Sequence, residues 1–329
     1  MISMKWSKLF LSILIVGLLL NISLASLLVS AAPPGACQPW PECKGGGGEE
    51  PPADPAIAYQ HSTSLMVMNA DGSRQTAIYT NSELSGHPSW SPDGTSIAFR
   101  IYIPDRGNPT LWRIDVTVVD DVPQGSNLYM LAEGVGVHAW SPAGDVIAFA
   151  SRRAIGSGEN RELRTVPATG GPETLLYTAP EGSWVRYPTW RSDASQIAFD
   201  EWDTTQQPYQ NYLKVLTLAD SSVTTILGPS EDCFCDLDWA KTKDTLAYGA
   251  GQIAIYTLDL TEQNPTPQFV VGSETKGVSW SPDDGKIVHG KGDFSNGGRL
   301  KGRYVWTYDF ATEEGEKLAK GVFPDWSRS

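Results

Sequence analysis

Residue types able to do chemistry are few in this chain. Its 329 residues hold four histidines (His61, His87, His138 and His289) and four cysteines. The cysteines form two close pairs, Cys37/Cys43 and Cys233/Cys235. A structural zinc site needs four donors at suitable spacing, and two distant pairs of unequal spacing match that poorly. In an oxidising compartment such pairs read as disulfides. Cys37 and Cys43 enclose a turn-like Gln-Pro-Trp-Pro-Glu, whereas Cys233-Phe234-Cys235 is short for an easy bridge. The pairing among the four stays open. No Gly-x-Ser-x-Gly pentapeptide is present to serve as a nucleophile elbow. His87 lies three residues before Trp90 and His138 two before Trp140, so both are candidate ligands or proton carriers. Two histidines do not make a metal site, and packing or loop hydrogen bonding is the plainer reading for all four.

Elements able to position such residues follow from composition and ends. Gly (32) and Pro (23) are abundant, Trp is frequent at 12, and the formal net charge is −13. So many turn formers exclude a helical bundle, and the apolar and aromatic content excludes general disorder. The acid excess argues against a nucleic-acid partner, which calls for a dense Lys/Arg surface. Lys5 and Lys8 precede an apolar run from Leu9 to Leu20, and Val29 and Ala31 fit a small-residue cleavage rule. Residues 1–31 therefore read as a secretory signal; an uncleaved anchor over Leu9 to Ala32 is the rival. Cleavage would leave no membrane span and would remove two lysines, taking −13 to −15. Residues 32–53, with Gly45 to Gly48 and Pro51-Pro52, read as a linker, and the folded part spans 54–329.

A repeat organises that part. Pro88-Ser89-Trp90-Ser91-Pro92-Asp93-Gly94 is followed by Ile97-Ala98-Phe99. Related copies centre on Trp140, Trp190, Trp239, Trp280 and Trp326, at intervals of 50, 50, 49, 41 and 46 residues. In each of the five complete copies a branched aliphatic residue stands seven positions after the Trp: Ile97, Ile147, Ile197, Leu246 and Ile287. Each copy predicts four strands: a short Trp strand, a Ser-Pro-Asp-Gly turn, an apolar second strand, and two alternating strands such as Leu111 to Val119 and Asn127 to Ala132. One such sheet cannot bury both faces alone, but copies arranged radially can. The sixth copy stops just after Trp326. Ile57-Ala58-Tyr59, Leu65 to Asn69 and Gln75 to Thr80 supply the strands it lacks. This predicts an all-β, six-bladed β-propeller in which the N-terminal strands complete the last blade.

The Trp-Ser-Pro-Asp-Gly…Ile-Ala-Phe pattern resembles the TolB-like, WD40-like propeller repeat over the whole folded region. It is most literal in copies one, two and five, and decays at Arg191-Ser192-Asp193-Ala194 and Ala240-Lys241-Thr242-Lys243. TolB itself carries an α/β domain before its propeller, where this sequence has only the linker. The resemblance therefore implies the propeller and not TolB's own partner.

Loop positions entering the innermost strands form one mouth of the channel. They present His87, His138, Arg186, Tyr187, Asp236 and Lys276, the candidate ligand-binding set. The residue before each Trp (Ser89, Ala139, Thr189, Asp238, Ser279, Asp325) is small or polar and is expected to line the channel. Asp238 and Asp325 there raise the question of a calcium ion; otherwise no cofactor is implied. Gly134-Val135-Gly136-Val137-His138-Ala139 formally fits a dinucleotide pattern, but it leads into a strand where a helix is required. The expectation is an exported, monomeric, non-catalytic propeller, periplasmic or secreted, that binds an envelope or extracellular protein or a carbohydrate. The alternative is a metal-dependent lyase or hydrolase working in the channel.

Overall fold

A computed structural model describes residues 56–104, 108–151, 161–251, 253–272, 275–294 and 299–327. The expectations for the signal, the linker and Cys37/Cys43 fall outside these residues. All regular elements described are strands, and among the described residues no helix is long and apolar enough to cross a membrane.

The chain opens with β1 (Ile57–His61), β2 (Ser64–Met68) and β3 (Thr76–Thr80). Blade one follows as β4 (Ser89–Trp90), β5 (Ser96–Ile103), β6 (Asn108–Val119) and β7 (Val122–Glu133). Blade two is β8 (Val135–Trp140), β9 (Val146–Ser151), β10 (Glu162–Pro167) and β11 (Thr174–Thr178). Blade three is β12 (Ser183–Trp190), β13 (Gln196–Asp203), β14 (Gln210–Thr217) and β15 (Ser222–Ser230). Blade four is β16 (Phe234–Trp239), β17 (Thr245–Ala250), β18 (Ala254–Asp259) and β19 (Gln268–Gly272). Blade five is β20 (Thr275–Trp280), β21 (Lys286–Phe294), β22 (Leu300–Asp309) and β23 (Glu314–Lys320), and β24 (Val322–Trp326) ends the series. Every sheet has four antiparallel strands in sequence order, except the last, whose order is β24-β1-β2-β3. Ile57 pairs with Trp326 and Ala58 with Asp325. The ring thus closes by hydrogen bonds between the two ends of the folded region, as the truncated sixth copy predicted, and blade six gains a full set of strands.

The second strands carry the core. Ile97, Ile147, Ile197, Leu246 and Ile287 are all 0% exposed, as are the Ala or Val residues that follow them. The first side chain of each run packs within one inter-blade layer and the next within its neighbour. Ala98 joins Trp140 and Phe149 of blade two, while Phe99 joins Leu65 and Val67 of blade six. Both faces of each strand are therefore buried, which is why these runs are continuously apolar rather than alternating. In blades one, two, three and five the turn after the Trp takes a left-handed residue four positions on. Gly94 and Gly144 fill it, and Ala194 (φ 59°) and Asp284 (φ 55°) adopt the same conformation. Blade four's decayed turn is held from next door: Asp284 accepts from the backbone N–H of Lys241 and of Thr242, both at 2.7 Å.

Candidate functional site

Two rings of residues define the channel. The lower ring is the position before each Trp. Four of its six side chains accept the backbone N–H of the next blade's Trp: Thr189 from Trp239 (3.1 Å), Asp238 from Trp280 (2.8 Å), Ser279 from Trp326 (3.1 Å) and Asp325 from Trp90 (2.7 Å). At the other two, backbone replaces side chain. The indole N–H of Trp140 donates to the Ser89 carbonyl (3.0 Å) and that of Trp190 to the Ala139 carbonyl (3.2 Å). Asp238 also accepts from Lys241 Nζ at 2.7 Å. The two aspartates raised as cation ligands are thus engaged in blade-to-blade bonds. Among the described residues no three His, Cys, Asp or Glu side chains are grouped to hold a metal ion.

The upper ring lies three positions before each Trp. A bulge there swings the residue into the left-handed region in five of six blades: His87 (φ 54°), Tyr187 (52°), Asp236 (50°), Gly277 (79°) and Phe323 (51°). Holding four non-glycine residues in that region costs conformational energy that the surrounding sheet must offset. Glycine at 277 is required, since a Cβ there would lie 2.9 Å from the Phe323 Cα. The upper-ring residues touch one another around the axis. His87 and Phe323 pack with ring centroids 4.0 Å apart, and Asp236 Oδ2 accepts the Gly277 N–H at 2.9 Å. Between the rings is a cavity of about 80 Å3, lined by His87, His138, Asp236, Asp238, Lys241 and Asp325 among others. It has room for a few water molecules.

His138 is the unsatisfied member. It is 5% exposed, and neither ring nitrogen has a partner in hydrogen-bond geometry, although the Ala98 backbone lies beside it. Burial and then the Arg100 charge hold its pKa down to about 3, so the ring is neutral. His87 is held well below the ordinary imidazole value by burial, then by Arg100, His138 and Lys276. Asp236 is pushed up by burial against the opposing pull of the Gly277 N–H, Lys276 and Arg100. Tyr187 is likewise pushed up by burial and then by Asp236. These couplings run from blade to blade: His138 and Lys276 act on His87, Lys276 on Asp236, and Asp236 on Tyr187.

Arg186 behaves differently from the rest of the candidate set. Its guanidinium pairs with Asp200, which is 0% exposed, donates to Asn211 Oδ1 at 2.6 Å, and lies 4.9 Å from the Trp202 ring centroid. It is a structural ion pair at the edge of the mouth. Arg100, outside the candidate set, also acts on the mouth. Its charge acts on His87, His138, Tyr187 and Asp236 together, and its NH2 group donates to the Ser85 carbonyl at 3.0 Å. The signal was available: Arg100 stands ten residues after its Trp, on the strand that returns to the mouth, where copy three has Asp200. Cys233 and Cys235, short for an easy bridge by spacing, are joined by a disulfide with Cα atoms 5.3 Å apart. That separation lies within the ordinary range.

No protein-family model matches the chain. Its architecture superposes on TolB from Acinetobacter baumannii with a TM-score of 0.60 at 14% identity, covering 84% of this chain and 67% of that one. Putative TolB from Agrobacterium tumefaciens gives 0.56 at 16% identity, covering 82% and 91%. The fold is TolB-like. A chain of a nidogen/laminin complex gives 0.59 at 8% identity, covering 83% and 98%, so at these identities the likeness speaks for the fold alone. Within the TolB-like propeller the sequence decides what each mouth offers. Here it is a neutral histidine pair, a carboxyl group and two cationic side chains.

Proposed function

We propose that the protein is an exported, non-catalytic scaffold that holds an envelope or extracellular protein at the channel mouth. The observation that carries this reading is His138: a polar ring 5% exposed that lines the channel cavity with no well-formed hydrogen bond beyond the adjacent Ala98 backbone. An unpaired buried polar group costs about 1–3 kcal/mol, which a partner group entering the cavity would recover. The disulfide at Cys233–Cys235 and the basic-then-apolar start of the sequence support export. The alternative, a lyase or hydrolase using a channel metal, would need a third donor such as Asp236 to converge on His87 and His138.

The test is affinity capture from an envelope extract of the source organism, with the wild-type chain beside Lys276→Glu and His138→Leu. One discrete protein retained by the wild type and lost with both variants is the expected result. Equal retention by all three, with unchanged melting temperatures, would move the binding surface away from the mouth.

A further inference from the structure

Away from the axis, blade three has longer strands than its neighbour, blade four. Strands β13 and β14 have eight residues each, against six in each of blade four's β17 and β18. Trp184 pairs across the sheet with Trp202, and the two rings meet edge-on with centroids 5.1 Å apart. Tyr209 meets Trp202 edge-on at 5.5 Å and is 45% exposed. Trp202 shares its sheet face with Leu213 and Val215, which pack on blade four, so this run faces outward over that shorter blade.

The loop carrying Tyr209 is tied down where it leaves β13. Thr204 donates both its N–H and its hydroxyl to the Gly182 carbonyl, at 2.9 and 2.7 Å, and Asp203 Oδ1 accepts the N–H and hydroxyl of Thr205. Arg186, fixed by Asp200 and Asn211, supports Trp202 from below. In blade five Lys317 lies 3.3 Å from the Tyr304 centroid and Lys291 4.9 Å from that of Trp306, as Arg186 lies 4.9 Å from that of Trp202, so each of these rings has a cation against it. No cation covers Tyr209 among the described contacts.

We propose that Trp184, Trp202 and Tyr209 form a platform for a neutral saccharide, with Gln206 and Gln207 bonding its hydroxyls. Rigid aromatic rings give large contact area at small entropic cost. A sugar ring has an apolar C–H face for them and hydroxyls that both donate and accept. Gln206 and Gln207 are exposed in the same loop as Tyr209, and each amide likewise donates and accepts. A proline-rich peptide would offer mainly carbonyl acceptors and leave half of that capacity unused. The chain's charge of −13 and the exposed Glu231 and Asp232, between blades three and four, disfavour a polyanionic glycan. The platform is separate from the mouth and does not rest on the reading proposed for it.

Cellohexaose, xylohexaose and chitohexaose titrated into the full chain, followed by tryptophan fluorescence and calorimetry, test the proposal. At least one should bind saturably. Tyr209→Ala should weaken it about tenfold without lowering the melting temperature, Tyr209→Phe should retain it, and Gln206→Ala/Gln207→Ala should weaken it. Lys276→Glu, at the mouth, should leave it unchanged, which separates failure here from failure of the mouth. Absence of saturable binding by all three sugars, undiminished binding by Tyr209→Ala, or binding of a proline-rich peptide in place of sugar would overturn the proposal.

Discussion

His289 stands where the other second strands carry Phe99, Phe149, Phe199 and Tyr248, and it is 2% exposed. Burial holds its folded pKa down to about 4, against 6.5 for a free imidazole. The unfolded chain therefore takes up a proton near pH 6.5 that the native chain refuses until about pH 4. Stability is full above that window and is lost as pH falls through it. His87 and His138 act in the same direction. Asp200 acts in the opposite one: its pKa is raised by burial to about 6, so it costs stability as pH rises from the free carboxylate value toward 6. Replacing His289→Phe, the residue of three sister blades, should cut the loss between pH 7 and pH 4 by roughly 2–3 kcal/mol, read from urea unfolding at the two pH values. An unchanged difference would mean that the imidazole is already charged in the native state. Trp90, 1% exposed and set between blades six and one, should cost about 3–5 kcal/mol on truncation to Ala, measured the same way.

At the scale of the strand, the lower ring shows how much one repeat position does. Asp325→Ala removes the acceptor of the Trp90 N–H and leaves a buried donor unsatisfied, an expected loss of about 1–3 kcal/mol in thermal or urea unfolding. Ala139→Ser is expected to be near neutral, because at that position the bond comes from the backbone carbonyl. The carboxylate of Asp238 is taken by Trp280 N–H and Lys241, so addition of a chelator is expected to leave the melting temperature where it was. A drop of several degrees would instead place a cation in the channel. The ring was legible because Ser89, Ala139, Thr189, Asp238, Ser279 and Asp325 share one offset from a recurrent Trp. Its bonding was not, since a sequence offset does not say which N–H of the next blade a side chain meets. The mouth was harder still. Tyr187 and Asp236 could be aligned, but their left-handed bulges depend on strand register across the sheet. Arg186 looked like a ligand-binding cation because its partner Asp200 lies fourteen residues away on the next strand, a separation that only pairing makes short. Arg100 is not marked by the offset that marks the mouth loops, because it reaches the same mouth from the strand returning after the turn.

For the molecule as a whole, the ring has one seam, where β1 lies between β24 and β2. On either side of it the side chains are as buried as anywhere else: Ile57 and Ala58 are 0% exposed, and Trp326 is 7% exposed. Nothing covalent crosses the seam among the described residues, so closure depends on the Ile57–Trp326 and Ala58–Asp325 pairings and on the cluster of Ile57, Tyr59, Val288 and Trp326. Ile57→Asp places a charge in that cluster. A buried charge without a partner costs several kcal/mol, comparable to the whole stability of a domain. Opening the seam would also bare the edges of β24 and β1, which are templates for pairing with another chain. The expected outcome is therefore more than a lowered melting temperature. Light scattering after size exclusion should find the wild type as a monomer and Ile57→Asp as soluble oligomers or aggregate. An engineered disulfide across the Ala58–Asp325 pair would remove Asp325 and with it the Trp90 bond, so the cleaner reverse test joins Gln60 to Val322, paired on the same two strands. That cross-link should raise the unfolding midpoint under oxidising conditions and return it to the wild-type value on reduction. If it does neither, the blades are held by their inter-blade layers alone and the seam is not where the ring comes apart.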